Sequence, residues 1–236
     1  MRNLFTILLI CFSGMFCSCA SFRDQAISNS SPGPHESLIY QGEYGPYPYQ
    51  ILHYIPKTRR ERMPLIMAFH GRGVTGKRYF PVWLEEAAEA RVMVLVPHWE
   101  LETGSLTDYE KLEGLVADVA GKFPVDREKV FIAGVSMGGF IAQDLMERSP
   151  EKWRGGILMA YSPQADRSPQ PDASRHPPVF LLAGRQDTQI KRGDIEKAAE
   201  HLKAKGVRVD WFIDEEAGHE HRPEWNRKIF DWIRTV

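Results

Sequence analysis

The chain has 236 residues, 43% of them hydrophobic and 26% charged, which is enough apolar material for one α/β domain with a sizeable core. Its net charge is −1, and no basic run exceeds the short charged loop Lys57 to Arg62, so a nucleic-acid-binding face is excluded. All three cysteines, Cys11, Cys17 and Cys19, fall in the first 19 residues, which excludes a disulfide framework or a cysteine metal site from the rest of the chain.

The N-terminus reads as an export signal over residues 1–19. Arg2 is followed by an apolar run from Leu4 to Phe16 and then by Cys17-Ser18-Cys19-Ala20. The run is too short to span a bilayer comfortably. A cysteine at the end of such a run resembles a bacterial lipoprotein signal, in which that cysteine becomes the lipidated first residue of the mature chain. Cys19, behind the small Ser18, suits the role, whereas Cys17 follows Phe16, which is large for a cleavage position. The other readings are a secretory signal that is simply cleaved and a retained anchor. The expected location is therefore the bacterial cell envelope, lipid-anchored, or the periplasm or exterior. Residues 20–36, rich in Ser, Pro and Asn, read as a flexible tether, and residues 37–236 as the folded domain.

Within that domain, Leu38 to Tyr40 and Tyr47 to Ile55 form two candidate strands joined by Gly42, Gly45 and Pro46, predicting a leading hairpin. Leu65 to Phe69 is a continuous apolar run, as in a strand buried on both faces. A helix is predicted over Val82 to Ala90 and a strand over Val92 to Val96. Thr107 to Gly121 reads as an amphipathic helix with Leu112, Leu115, Val116 and Val119 on one face and Thr107-x-x-Glu110 as a capping box. Strands follow at Val130 to Val135, Ile157 to Ala160, Val179 to Ala183 and Val207 to Ile213. Helices are predicted at Phe140 to Arg148, Asp194 to Lys205 (ended by Gly206) and Pro223 to Arg234. Strands alternating with helices after a hairpin predict an α/β sandwich around a mostly parallel sheet.

The most informative stretch is Lys129 to Phe140. A β-branched and aromatic run leads into Gly134-Val135-Ser136-Met137-Gly138, and a helical segment follows. This is a G-x-S-x-G elbow in its required setting of strand, sharp turn and helix. Side chains at Gly134 and Gly138 would collide with each other or with the neighbouring strand and helix. The turn lifts the Ser136 hydroxyl beside the first amides of a helix, which have no intrahelical partners and lie at the positive end of its dipole. The N–H of Met137 is then placed to stabilise an oxyanion, an interaction of about 3–4 kcal/mol per donor.

A serine nucleophile needs a base, and the base an orienting acid. Asp187 follows the strand Val179 to Ala183, and His219 follows the last strand, in the order Ser, Asp, His. The assignment is Ser136 nucleophile, His219 general base then acid, and Asp187 orienting acid. Gly218 favours His219 by letting its loop turn the imidazole toward the serine. His221 is the rival base. Asp214, Glu215 and Glu216 read as a solvated rim, and Asp166 and Asp172 as exposed loop residues. His35, His53, His98, His176 and His201 read as structural or exposed. Phe69-His70-Gly71-Arg72-Gly73, at the exit of the third strand, is the expected source of the second oxyanion amide, from Arg72 or Gly71. His70 then packs beneath that loop and holds it.

The string from Pro124 to Gly139, PVDREKVFIAGVSMGG, resembles the α/β-hydrolase superfamily. It is similar to its esterase branch, which holds polyhydroxybutyrate-depolymerase-like and feruloyl-type esterases, prolyl-oligopeptidase-like esterases and phospholipase/carboxylesterases. Over residues 38 to 236 the resemblance implies an α/β-hydrolase fold with about eight strands and helices on both faces. It also implies an acyl-enzyme mechanism without metal or cofactor. Tyr161 to Pro178, only about 18 residues, carries no amphipathic helix, so no large lid is expected. Tyr161, Trp99 and His98 are candidates to line an open cleft. The expected activity is hydrolysis of a small-molecule or polymer-borne carboxylic ester. The alternatives are a small serine peptidase and a non-catalytic binding lipoprotein on a hydrolase scaffold. The only membrane contact expected is through a lipid on Cys19.

Overall fold

A computed structural model describes residues 37–99, 108–163 and 176–236. The signal and tether readings, Cys19, His35, Thr107, Asp166, Asp172 and most of the segment expected to lack a lid lie outside the described residues.

The eight expected strands form one open sheet in the order β1-β2-β4-β3-β5-β6-β7-β8. β1 (Ser37–Tyr44) and β2 (Tyr47–Tyr54) make the leading antiparallel hairpin, with Gly45 at φ 56° in the first position of its two-residue turn. β2 also pairs antiparallel with β4 (Met93–Pro97). From there the sheet is parallel through β3 (Met63–Phe69), β5 (Val125–Val135), β6 (Gly155–Met159), β7 (Val179–Gly184) and β8 (Val209–Asp214). The central strands are apolar throughout because both their faces are covered: Leu65 to Phe69 and Ile132 to Ala133 are fully buried.

The helices are α1 (Gly76–Tyr79), α2 (Leu84–Ala90), α3 (Tyr109–Lys122), α4 (Met137–Arg148), α5 (Arg192–Ala204) and α6 (Trp225–Ile233). Two successive glycines of β6 show how the two faces are covered. A Cβ on Gly155 would meet Trp232 of α6, and one on Gly156 would meet Met146 of α4. Neighbouring strand residues point to opposite faces, so α6 and α4 lie on opposite sides of the sheet. α2 packs with α6. α3 lies beside α4, where Tyr109 donates to Asp144.

Some boundaries differ from the sequence reading. The helix expected over Val82 to Ala90 is preceded by α1 and by a 3₁₀ turn, Phe80–Trp83, with Pro81 in its first turn. The N-cap of α3 is Asp108, whose side chain accepts from the Lys111 N–H. β5 begins five residues earlier than expected, through the charged stretch Asp126 to Lys129. α4 begins immediately after Ser136, three residues before its expected start.

Candidate active site

The sheet gathers the predicted site residues at one end. Ser136 follows β5, the loop Gly71 to Thr75 follows β3, Asp187 follows β7 and His219 follows β8. β3 and β5 are neighbours, with Phe69 opposite Gly134, so the β3 exit runs directly beside the elbow.

Ser136 sits at φ 53°, ψ −117°, a conformation that costs a non-glycine residue about 1–3 kcal/mol. It is held there from both sides. Its N–H donates to Met159 O at 2.9 Å, and its carbonyl accepts from the Gly139 N–H at 2.9 Å. The flanking glycines permit the turn for the reason expected. A Cβ on Gly134 would stand 2.1 Å from the Gly138 oxygen, and one on Gly138 would stand 2.3 Å from the Phe69 oxygen.

His219 joins the other two residues. Its Nε2 lies 2.7 Å from Ser136 Oγ and its Nδ1 lies 2.8 Å from Asp187 Oδ2. An ionised carboxylate only accepts, so Nδ1 carries the proton and Nε2 accepts from the serine hydroxyl. The Asp187 side chain is fully buried, whereas that of His219 is 19% exposed, so the carboxylate is sealed and the imidazole opens to the cleft. The second carboxylate oxygen, Oδ1, accepts from the N–H groups of Gln189 at 2.7 Å and Ile190 at 2.9 Å. These two amides escaped the sequence reading; only the loop's fold, which turns them back on Asp187, reveals them.

The rival residues fall elsewhere. His221 packs its ring among Tyr79, Trp83 and Trp225, with both nitrogens engaged by Tyr79 and Asn226. Burial holds its pKa well below the ordinary range, at about 4. Asp214 is no solvated rim residue: it accepts from the Trp225 indole N–H at 2.8 Å and the Glu216 N–H at 3.0 Å, and it lies 3.5 Å from Arg222. These donors, the indole first, hold its carboxyl below the usual carboxylate range. Glu215 pairs with Arg185 instead. Gly218 has no positive φ and a Cβ there would meet nothing, so its being glycine does not explain the choice of His219.

At the β3 exit, a Cβ on Gly71 would lie 3.5 Å from the Ser136 Cβ, which brings this backbone beside the serine. Met137 is the first residue of α4, and its N–H has no intrahelical acceptor. Arg72 is exposed on the same loop. His70 is buried below it, stacked on Trp99 at 5.1 Å, with Nδ1 3.0 Å from Gly71 O, and so braces the loop as expected.

Beside Ser136 and His219 opens a cleft of about 770 Å³. Phe140, Tyr161 and Ile190 line it, together with Lys197 and His201 of α5. Tyr161 takes the expected place; its hydroxyl donates to Gln143 Oε1 at 2.7 Å and its ring meets Phe140 edge-on at 4.7 Å. Trp99 and His98 do not line this cleft. Trp99 lies under His70, and His98 packs against Gly76. His201 is exposed, as expected, but its position on the cleft wall was not foreseen. Asp194, Lys197, Ala198 and His201 follow helical spacing, yet which way that stripe faces depends on how α5 docks.

The family model for the dienelactone hydrolase family matches residues 91–227, a span holding the elbow, Asp187 and His219. Among solved structures, the chain is similar to an S-formylglutathione hydrolase of Staphylococcus aureus in its apoenzyme form. The identity is 16%, with 88% of this chain and 99% of that one covered at a TM-score of 0.69. An arylesterase matches at 17% identity over 89% of this chain and 86% of its own, with a TM-score of 0.64. The substrate-bound fluorophosphonate-binding serine hydrolase F of Staphylococcus aureus matches at 16% identity over 87% of this chain and 98% of its own, with a TM-score of 0.62. At these identities the likeness is one of fold.

Proposed function

The chain belongs to the dienelactone hydrolase family and is a serine hydrolase, and from that premise we propose that it is an exported esterase that cleaves carboxylic esters through an acyl-enzyme. The observation that carries this reading is the single imidazole of His219 in hydrogen-bond contact with both Ser136 Oγ and Asp187 Oδ2.

Ser136 Oγ attacks the ester carbonyl while its proton passes to His219 Nε2. The resulting oxyanion accepts hydrogen bonds from the main-chain N–H of Met137 and of Arg72 or Gly71. Asp187 keeps Nδ1 protonated and stabilises the imidazolium. As the carbon–oxygen bond to the alcohol breaks, the imidazolium gives its proton to the departing oxygen, leaving acyl-Ser136. A water then attacks the acyl carbonyl with His219 as base, and the carboxylic acid leaves with Ser136 restored.

The open cleft suits soluble esters or acyl groups projecting from a polymer. The arylesterase among the structural relatives agrees with ester chemistry by its name. Export rests on the signal-like residues 1–19, with Cys19 as the site of lipid attachment. A p-nitrophenyl ester chain-length series set against peptide amides, followed by acetylated and feruloylated oligosaccharides, tests the activity: turnover of the amides alone would refute it. Fractionation of cells expressing the wild type and Cys19→Ser tests the anchor, which predicts that only the variant leaves the membrane fraction.

A further inference from the structure

His219 and the β3-exit loop both approach Ser136, and one buried hydrogen-bond chain ties their supports together. Tyr79 ends α1, the helix that begins directly after the loop Gly71 to Thr75. It is 4% exposed, and its hydroxyl lies 2.9 Å from His221 Nδ1. His221 stands two residues beyond His219. Its Nε2 lies 2.9 Å from Asn226 Oδ1, and Asn226 is fully buried in α6. The Asn226 amide nitrogen donates to Val82 O at 2.7 Å, which fixes the amide with its oxygen toward the imidazole. Nε2 therefore carries the proton of His221, and Nδ1 accepts from the Tyr79 hydroxyl. The ring is clamped edgewise by Trp83, 4.6 Å between centroids, and by Tyr79 at 5.7 Å.

We propose that His221 is a positioning residue for His219: its two hydrogen bonds fasten the histidine loop to α6 on one side and, through Tyr79, to the helical turn that closes the oxyanion loop on the other. The inference rests on the reading of His219 as the base, which His219→Ala tests by itself. Two loops that must agree to a fraction of an ångström are thus referenced to one imidazole rather than to each other. Misplacement by about 1 Å can cost about 100-fold in rate. The effect belongs in kcat, because the cleft that binds substrate is lined by α5, Phe140 and Tyr161, away from this chain.

Three variants test it: His221→Phe, His221→Gln and Tyr79→Phe. A phenylalanine keeps the ring and loses both hydrogen bonds. A glutamine can accept from Tyr79 and donate to Asn226. His221→Phe should lower kcat by about 10- to 100-fold with KM little changed, and slow labelling by a fluorophosphonate in step. His221→Gln should restore most of that loss. Tyr79→Phe, which removes only a hydroxyl, should give a several-fold loss in kcat and decides the matter if His221→Phe does not fold. A wild-type kcat per folded enzyme in Tyr79→Phe and in any His221→Phe that folds would overturn the proposal, even with a lower melting temperature. So would equal losses in the phenylalanine and glutamine variants, because a side chain able to make both hydrogen bonds would then rescue nothing.

Discussion

Gly184 and Ala217 approach so closely that a Cβ on Gly184 would stand 2.1 Å from the Ala217 carbonyl oxygen. Gly184 ends β7, three residues before Asp187, and Ala217 lies two residues before His219. The same two loops are joined by the Gln186 N–H to Ala217 O at 2.9 Å and by Arg185 N–H to Asp214 O at 2.7 Å. The separation of Asp187 and His219 is thus fixed by main chain against main chain. Gly184→Ala should push the histidine loop away from Asp187, costing about 1–3 kcal/mol of stability, or more because a rigid backbone must yield. Activity should fall further than the loss of folded protein explains. Thermal melts beside kcat on one ester check both.

Asp187→Asn should lower kcat by about 10,000-fold while leaving the fold intact. The amides of Gln189 and Ile190 both donate to Oδ1, so an asparagine must keep its oxygen there and turn its nitrogen toward His219. His219 Nδ1 then has to accept, and its proton moves to Nε2, where it faces Ser136 and cannot serve as a base. A kcat within about tenfold of wild type would show that this carboxylate does not set the tautomer.

The β3 exit predicts a contrast between side chain and main chain. If Arg72 lends its N–H to the oxyanion, Arg72→Ala should leave kcat nearly unchanged, whereas Arg72→Pro should lower it by about 100- to 1,000-fold. Equal rates for both variants would move the role to Gly71.

Stability should fall in acid through His221. Its folded pKa is about 4, against 6.5 for the ordinary side chain, because burial disfavours the charged ring. Between these values the unfolded chain binds a proton that the folded chain refuses. The stability is therefore full above about 6.5, declines as the pH drops toward 4 and levels off below, a difference of about 3 kcal/mol. Burial lowers His53 and His176 in the same direction. Tyr79 and Glu86 are the other titratable groups at this cluster, and burial raises Tyr79 above its ordinary range, keeping it neutral throughout. Melting temperatures of wild type and His221→Gln between pH 7.5 and 4 check this: the variant should lose less on acidification.

The elbow and the order of Ser136, Asp187 and His219 were legible because they depend on local chemistry. An apolar run must be a buried strand, glycines mark where backbones touch, and strand exits converge in a parallel sheet. What escaped was set by contacts distant in sequence or by short elements. α1 has four residues and no periodicity to detect, and Pro81 obscured the 3₁₀ turn after it. The charged Asp126 to Lys129 masked the start of β5, whose outer end needs no apolar pattern because it is exposed. His221 and Asp214 read as a spare base and a rim carboxylate; only the folded chain shows that their partners are Tyr79, Asn226 and Trp225.

The most direct measurement is intact-mass and peptide mapping of the purified enzyme after reaction with a fluorophosphonate. One adduct per chain is expected, located on Ser136, with ester hydrolysis lost in proportion and no labelling of Ser136→Ala. Ester hydrolysis that survives in Ser136→Ala, or an adduct on another residue that accompanies the loss of activity, would contradict it.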